Sequence, residues 1–287
     1  MEALVSVPDF LAVGHLCCDL VNGRRILGGS ASYASLTARG LSRHTGIVTS
    51  VSRDFPFLDV FKGIEIRNID STTTTTFHNM YRNGVREQIV SGVATSISST
   101  HIPPRWTDAD IVYLCPIADE VMPDVIESFP RSLVGIGVQG WLREWDERGR
   151  VRRKEWKNAR EVVRHADAVV YSELDLDEPY AFASELALFA PIVIVTQASR
   201  GAELFLKDRR VHVPAYRTEE VDPTGAGDVF AAAFLVRFKE CDDPIEAAQF
   251  ACCAASFVCE KEGTSGIPTL EQVLERKKRY DELRRQS

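Results

Sequence analysis

The chain has 287 residues, 45% of them hydrophobic and 26% charged, with a formal net charge of −7. These are ordinary globular proportions, long enough for one large domain or two small ones, and the acidic balance argues against a general polyanion partner. Nucleic acid and membrane are disfavoured as partners, because no basic stripe runs through aromatic residues and no apolar run approaches the ~18 residues of a membrane span. The opening "MEALVSVPDF" lacks a basic stretch followed by an apolar core, so no secretory signal is expected. Seven cysteines (Cys17, Cys18, Cys115, Cys241, Cys252, Cys253 and Cys259) form no CxxC pair, which points to reduced thiols and a cytoplasmic location.

In chain order, "FLAVGHLCC" reads as one strand and "GSASYASLTARGL" as a helix of small residues. "GIVTSV" and "IEIRNI" read as strands, and "TTTTTFHNMY" and "VREQIVSGV" flank "RNG" as a β-hairpin near residues 72–92. Alternation follows: strand "DIVYLCPI", helix "DEVMPDVIESF", strand "SLVGIGV", helix "EWKNAREVVRHA", strand "DAVVYS", helix "LDEPYAFASELALF" and strand "PIVIVTQ". The basic run "RGRVRRKEWKNAR" is expected to be a solvated helix start. "AELFLKDRRVHVP" reads as a hairpin around Asp208, and three helices begin near Gly225, Pro244 and Leu270. This pattern predicts an α/β fold, a mostly parallel sheet with helices on both faces, in a single domain over residues 1–287. Ligands in such sheets sit at the carboxyl ends of the strands, here the loops after Cys17, Val138, Tyr171 and Val195.

The stretch "VDPTGAGDVFAAAF" carries the chemistry. Thr224 is expected to cap a helix whose first turn is Gly225, Ala226 and Gly227, with backbone N–H groups open to an anion. A carboxylate beside such a hole, Asp228, makes sense when it takes a proton while the hole stabilises developing charge. The plainer reading is an acid favoured by the helix dipole. Phe230, Phe234 and Phe238 repeat at helical spacing and mark the core face.

"DPTGAGDVFAAAF" resembles the signature of the ribokinase/PfkB family of carbohydrate and nucleoside kinases. "VGHLCCDLV", "LGGSASYASL", "DAVVYSELDLDE", "VIVTQASRGAELF" and "CEKEGTSGIP" resemble its other segments in order, over residues 10–270. The resemblance implies a ribokinase-like three-layer sandwich and transfer of the ATP γ-phosphate to a hydroxyl of a small sugar or polyol. It implies Asp228 as base, with Gly225, Ala226 and Gly227 as the anion hole. It places Thr196, Ser199, Gly201, Gly263 and Gly266 at the nucleotide and Asp19, Gly28, Gly29 and Ser30 at the acceptor. Mg²⁺ would be reached by Asp175 through water, and a monovalent cation such as K⁺ by Asp222.

Several positions depart from the family pattern. The Asn-x-x-Glu motif reads Ser172, Glu173, Leu174, Asp175. Ser30 and Tyr33 stand where ribokinases place Lys and Asn against ribose, which argues against a ribose-specific pocket. "LVNGRRIL" is short for lid strands, so a reduced lid is expected, with the 72–92 hairpin as what remains and Arg24 and Arg25 solvated. "GSASYAS" and "GIGVQGWLR" resemble the myo-inositol kinase branch, with Gln139 and Arg143 as hydrogen-bond partners of the acceptor, or Arg143 on the γ-phosphate.

The rivals are a nucleoside or ribose kinase and a non-catalytic small-molecule-binding protein on the same fold. "GIGVQG" matches a dinucleotide motif only weakly, and "GRRILGGS" lacks the Lys of a P-loop. His15 reads as a satisfied buried histidine or a substrate contact, and the six histidines form no metal spacing. A monomer or homodimer is expected.

Overall fold

The computed structural model describes residues 6–21, 23–82 and 85–285; Met1 to Val5 of the expected leader-free start, and Asn83 and Gly84 of the expected turn, lie outside the described residues. The apolar run at the start is two strands rather than one. β1 (Phe10–Val13) ends at Gly14, and the chain turns off before β2 (Cys17–Val21) and β3 (Arg24–Gly28). Helix α1 (Ser30–Gly40) follows, then β4 (Thr45–Val51), β5 (Glu65–Asp70), β6 (Thr76–Arg82) and β7 (Val85–Gly92). The central part carries β8 (Ile111–Leu114), β9 (Leu133–Gly137), β10 (Arg143–Trp145), β11 (Val151–Arg153) and the short α2 (Ala159–Val163). Then come β12 (Ala168–Ser172), α3 (Pro179–Leu186), β13 (Ile192–Thr196), β14 (Ala202–Leu206) and β15 (Arg209–Val213). Three long helices close the chain: α4 (Ala226–Cys241), α5 (Pro244–Cys259) and α6 (Leu270–Arg285).

Nine strands form one sheet in the order β15-β14-β13-β12-β9-β8-β1-β4-β5. It is parallel from β13 to β5, and only the β13–β14–β15 meander is antiparallel. Alternate side chains serve opposite faces. Phe10 and Ala12, Ile111 and Tyr113, Val170, and Ile194 join α1, α4 and α5 in one buried cluster. Leu11 and Val13, Val112 and Leu114, Val169, and Val193 face the other way, onto α2, α3 and short 3₁₀ turns. This second face explains one miss. The expected helix "DEVMPDVIESF" is a 3₁₀ segment, Pro123–Ser128, entered through Pro123 and buried at Val125 and Ile126. Too few apolar positions follow to support the packing that a longer helix needs.

On the first face α4 buries Val229 to Val236 without a break. Phe230, Phe234 and Phe238 stack along it at ring separations of 6.4 and 5.6 Å. Truncating the fully buried Phe234 to Ala costs about 3–5 kcal/mol on the usual scale for such cavities.

The hairpin near residues 72–92 does not stand alone. It forms a second sheet of order β3-β2-β6-β7, in which β2 pairs parallel with β6 and antiparallel with β3. Eight residues between Asp19 and Gly28 therefore suffice for two lid strands, because the chain reverses through Gly23 at φ 76°. The Thr run is not strand up to Thr75; there the hydroxyls bond loop groups instead, as Thr74 does with Ser52 at 2.7 Å. The basic run holds a further correction: Val151–Arg153 is a strand, paired antiparallel with Arg143–Trp145. Gly149, at φ 74°, turns the chain here, and Asp146 accepts the N–H groups of Arg148 and Arg150, both at 3.0 Å. This small hairpin docks on the lid edge through Val90 N–H to Gly149 O at 2.8 Å.

Candidate active site

Order reversal in the main sheet falls between β1 and β8, since the chain winds one way to β4 and β5 and the other way to β9, β12 and β13. Crevices at such points are where α/β sheets bind ligands. The N-termini of α1 and α4 both open here. Their first turns are joined by a hydrogen bond between the Ser30 hydroxyl and the Asp228 carboxylate. Asp228 is partly exposed, and its charge reaches Tyr113 and Cys115 at the end of β8.

Desolvation pushes the Asp228 carboxyl up to about 6; the Ser30 hydrogen bond opposes this, Asp175 adds to it, and Arg143 opposes it. A carboxylate in this range is mostly ionised at neutral pH yet basic enough to accept a proton. Thr224 does not cap α4. The cap position is Gly225, left-handed at φ 81°, with no side-chain cap bond. Thr224 instead donates its N–H to Asp222 Oδ1 at 3.0 Å. A Cβ on Gly225 would fall 2.2 Å from the Tyr33 ring, so glycine is required on two counts. Gly227 has nothing within 4 Å of where its Cβ would be, and the first turn of α4 is open on that side.

Asp19 is buried in β2 and Gly28 in β3. A Cβ at Gly28 would lie 2.3 Å from Asp19 Oδ2, so the glycine makes room for the carboxylate. Gly29 is the cap position of α1. Gln139 donates to Asp175 Oδ1 at 3.2 Å, and Ser172 N–H to Asp175 Oδ2 at 2.9 Å. Each Asp175 oxygen thus carries one bond, which leaves lone pairs for water. Arg143 donates to Ile117 O at 3.3 Å, and its guanidinium lies over the Phe77 ring of the lid at 5.8 Å. Residues from three separate segments therefore meet around Asp228: Ser30, Asp175, and the 139–143 stretch with Arg143 and, through Asp175, Gln139.

Asp222 holds two loops together. Besides Thr224 it accepts Gly263 N–H at 3.0 Å, which ties the entry to α4 to the 263–266 turn. Gly266 packs on the α5 carboxyl end, where a Cβ would come within 2.6 Å of Phe257 O. Thr196 ends β13 opposite Ser172 and donates to Tyr171 O at 3.3 Å; Ser199 and Gly201 follow in the next turn. A polar network that the motifs did not reveal borders this turn. Arg200 pairs with Glu173 at 2.5 Å, Tyr180 donates to Glu173 at 2.9 Å, and Gln197 donates to Tyr180 at 2.7 Å. Glu173 inside the altered motif was the only sequence signal for it.

His15 is fully buried and satisfied: Nε2–H donates to Thr95 O at 2.9 Å, and Nδ1 accepts from Thr75 Oγ1 at 2.7 Å. The carbonyl partner fixes that tautomer. All seven cysteines are free, five of them buried. Among the described residues, no three His, Cys, Asp or Glu side chains gather as a metal site, and no helix is long and apolar enough to cross a membrane. The glycines of "GIGVQG" serve packing, Gly135 against Leu235 and Gly140 against the Pro116 backbone.

Comparison with known proteins agrees with this fold. The model of the pfkB family carbohydrate kinases matches residues 154–270. An inositol 3-kinase from Arabidopsis thaliana is 24% identical over 80% of this chain and 68% of its own. A cytidine kinase from Thermococcus kodakarensis is 24% identical over 80% of this chain and 88% of its own. The structure of a pyrophosphate-dependent kinase of the ribokinase family, complexed with a pyrophosphate analog and myo-inositol, superposes with a TM-score of 0.77 at 22% identity, covering 93% of this chain and 99% of that one. Residues 154–270 match the model of the pfkB carbohydrate kinases, and the chain's relatives and structural neighbours are carbohydrate and nucleoside kinases, which indicates a phosphotransferase with a hydroxyl group as acceptor.

Proposed function

We propose that this kinase transfers the γ-phosphoryl group of ATP to a hydroxyl of a small polyol, with myo-inositol the favoured acceptor. The observation that carries the reading is Asp228, a carboxyl held near pKa 6 at the open mouth of α4 and oriented by Ser30. Asp228 takes the proton of the acceptor hydroxyl as its oxygen bonds to the γ-phosphorus. The bond from that phosphorus to the bridging oxygen breaks, and ADP leaves. The N–H groups of Gly225 and Gly227 face the charge on the phosphoryl oxygens, aided by the helix dipole, whereas the Ala226 N–H expected to join them donates to Pro223 O at 3.1 Å. Mg²⁺ bound with the nucleotide neutralises phosphate charge. Asp175 is the residue here that reaches it through water, and Asp222, besides tying its loops, is the acid offered to a monovalent cation.

Asp19, Ser30, Gln139 and Arg143 present both donors and acceptors to the acceptor side, which suits a ring bearing a hydroxyl on every carbon. The inositol 3-kinase relative and the myo-inositol complex support the same class. The test is phosphoryl transfer across inositols, pentoses, hexoses and nucleosides, with ATP and with inorganic pyrophosphate as donors. Turnover of myo-inositol with ATP is expected. Turnover confined to nucleosides would favour the class of the cytidine kinase relative, and turnover only with pyrophosphate would replace the donor.

A further inference from the structure

Glu120, between β8 and β9, is 1% exposed, and no step above uses it. Its carboxylate spans the exits of β1 and β8, where the strand order of the main sheet reverses. Oε1 accepts the His15 N–H at 2.9 Å, just past β1. Oε2 accepts the N–H groups of Ile117 and Ala118 at 2.9 and 2.7 Å, just past β8, and the Ile117 N–H also reaches Oε1 at 3.1 Å. The main chain is fixed as well, since Glu120 O accepts Ile97 N–H at 2.8 Å. Among the described residues, no basic side chain pairs with this carboxylate.

A buried carboxylate without a cation is costly, and backbone N–H donors on both oxygens offset that cost. An amide would not serve, because Gln offers an acceptor at one end and a donor at the other. The residue type thus follows from accepting at two strand exits at once. Those exits carry the acceptor side of the site. Ile117 O accepts from Arg143 at 3.3 Å, and Arg143 is one of the charges acting on Asp228. Pro116 O accepts Gly140 N–H at 2.9 Å, in the turn that leads to Arg143. Ile117 and Ala118 pack on Cys17, Phe77 and Val90 of the lid, and at His15 the chain passes from β1 to the lid.

We infer that Glu120 is a positioning residue for phosphoryl transfer: by fixing the exits of β1 and β8 against each other, it sets where Arg143 stands in the site. This rests on the kinase reading above. Glu120 itself touches no ligand and acts through the Ile117 carbonyl.

The test is a double-mutant cycle between Glu120→Gln and Arg143→Ala, with Mg-ATP and myo-inositol or whichever alcohol the panel identifies. E120Q keeps the side-chain volume and turns one acceptor into a donor. Its acceptor KM is expected to rise about three- to tenfold, the worth of one displaced hydrogen bond, while the KM for ATP stays at the parent value. Arg143, with Ser30, opposes the protonation of Asp228 that burial and Asp175 favour, so the acid limb of kcat/KM should move to higher pH. In the R143A background, adding E120Q should change neither quantity further. A merely structural carboxylate gives additive effects in the cycle or a KM rise shared by ATP; either result overturns the inference, as does an unchanged acceptor KM in E120Q. Should E120Q not fold, Glu120→Asp takes its place in the cycle, since it keeps the charge on an arm too short to reach both exits. A parent that phosphorylates no alcohol removes the kinase reading and this inference with it, whereas an active parent without coupling in the cycle removes the inference alone.

Discussion

At the mouths of α1 and α4, the base, its orienting hydroxyl and the interlocked Tyr33 and Gly225 come from two short segments, Gly28 to Tyr33 and Asp222 to Asp228. The lid sheet is assembled the other way. Its four strands come from residues 17–28 and 76–92, and its edge is held by a hairpin from residues 143–153. Tight small-residue packing of one helix mouth on another leaves no slack, and it holds the base within reach of its orienting hydroxyl. The lid meets the body through Cys18 and Leu27, which join the main core, through the Ser32 hydroxyl on Gly28 O, through Val90 on Gly149, and through the small apolar cluster of Cys17, Phe77, Val90, Ile117 and Ala118. A closely packed base beside a separate covering sheet suits a site that must exclude water.

The largest expected effect lies at the rigid region. Asp228→Asn should lower kcat by about 10²–10⁴-fold, the usual worth of a general base, with ATP affinity little changed. Steady-state kinetics with the identified alcohol check it, and near-parent turnover would remove Asp228 from the proposed role. The same variant has a second signature. The folded-state pKa of Asp228, about 6, lies above its ordinary 3.8, so the folded protein binds this proton more tightly than the unfolded chain. The ionised form is therefore a burden on the fold above pH 6, lifted progressively as pH falls towards 4. D228N should melt higher than the parent at pH 7.5, and the gap should close by pH 4. For the parent, kcat/KM should fall as pH drops below about 6.

Legibility follows the same division. The helix mouth could be read because a left-handed Gly225, the open first turn and Asp228 are consecutive, and their chemistry is local. Even there, Thr224 was misread as a cap, because the bond that diverts its N–H comes from Asp222, whose other oxygen holds a loop some 40 positions on. The lid is hidden because β2 sits within a continuous apolar run, and its partner β6 lies across three other strands in sequence. The basic hairpin is hidden because each of its strands holds one apolar residue, Trp145 and Val151, and charge alone does not separate a strand from a helix start. The packing of Tyr33 on Gly225 leaves no trace in either segment by itself.

The next effect is in the lid's base. Thr75 Oγ1 donates to His15 Nδ1 and accepts Ala94 N–H at 3.0 Å. Thr75→Val keeps the shape and orphans two buried groups, so about 2–4 kcal/mol of stability should be lost by denaturant titration. A smaller and more local effect is expected at the lid's edge. A Cβ on Gly149 would fall 2.2 Å from Val90 O, in a backbone conformation that disfavours any side chain. Gly149→Ala should release the docked hairpin. Faster exchange of the Val90 amide hydrogen and a several-fold rise in acceptor KM are expected, with little change in global Tm. If Val90 keeps its protection, the hairpin is not what holds the lid edge.

The smallest effect separates backbone from charge in that docking. Arg152 pairs with Asp146 at 3.2 Å across the hairpin, but it is 65% exposed. Such a pair contributes about 0–1 kcal/mol and less in salt. Arg152→Ala should leave Val90 exchange and acceptor KM at parent values, because Asp146 still accepts the two N–H groups that shape the turn and Gly149 O still meets Val90 N–H. Should R152A instead mimic G149A, the hairpin would be held by charge, and its grip on the lid would weaken as ionic strength rises. The parent's acceptor KM would then climb with salt, a dependence that a backbone link does not produce.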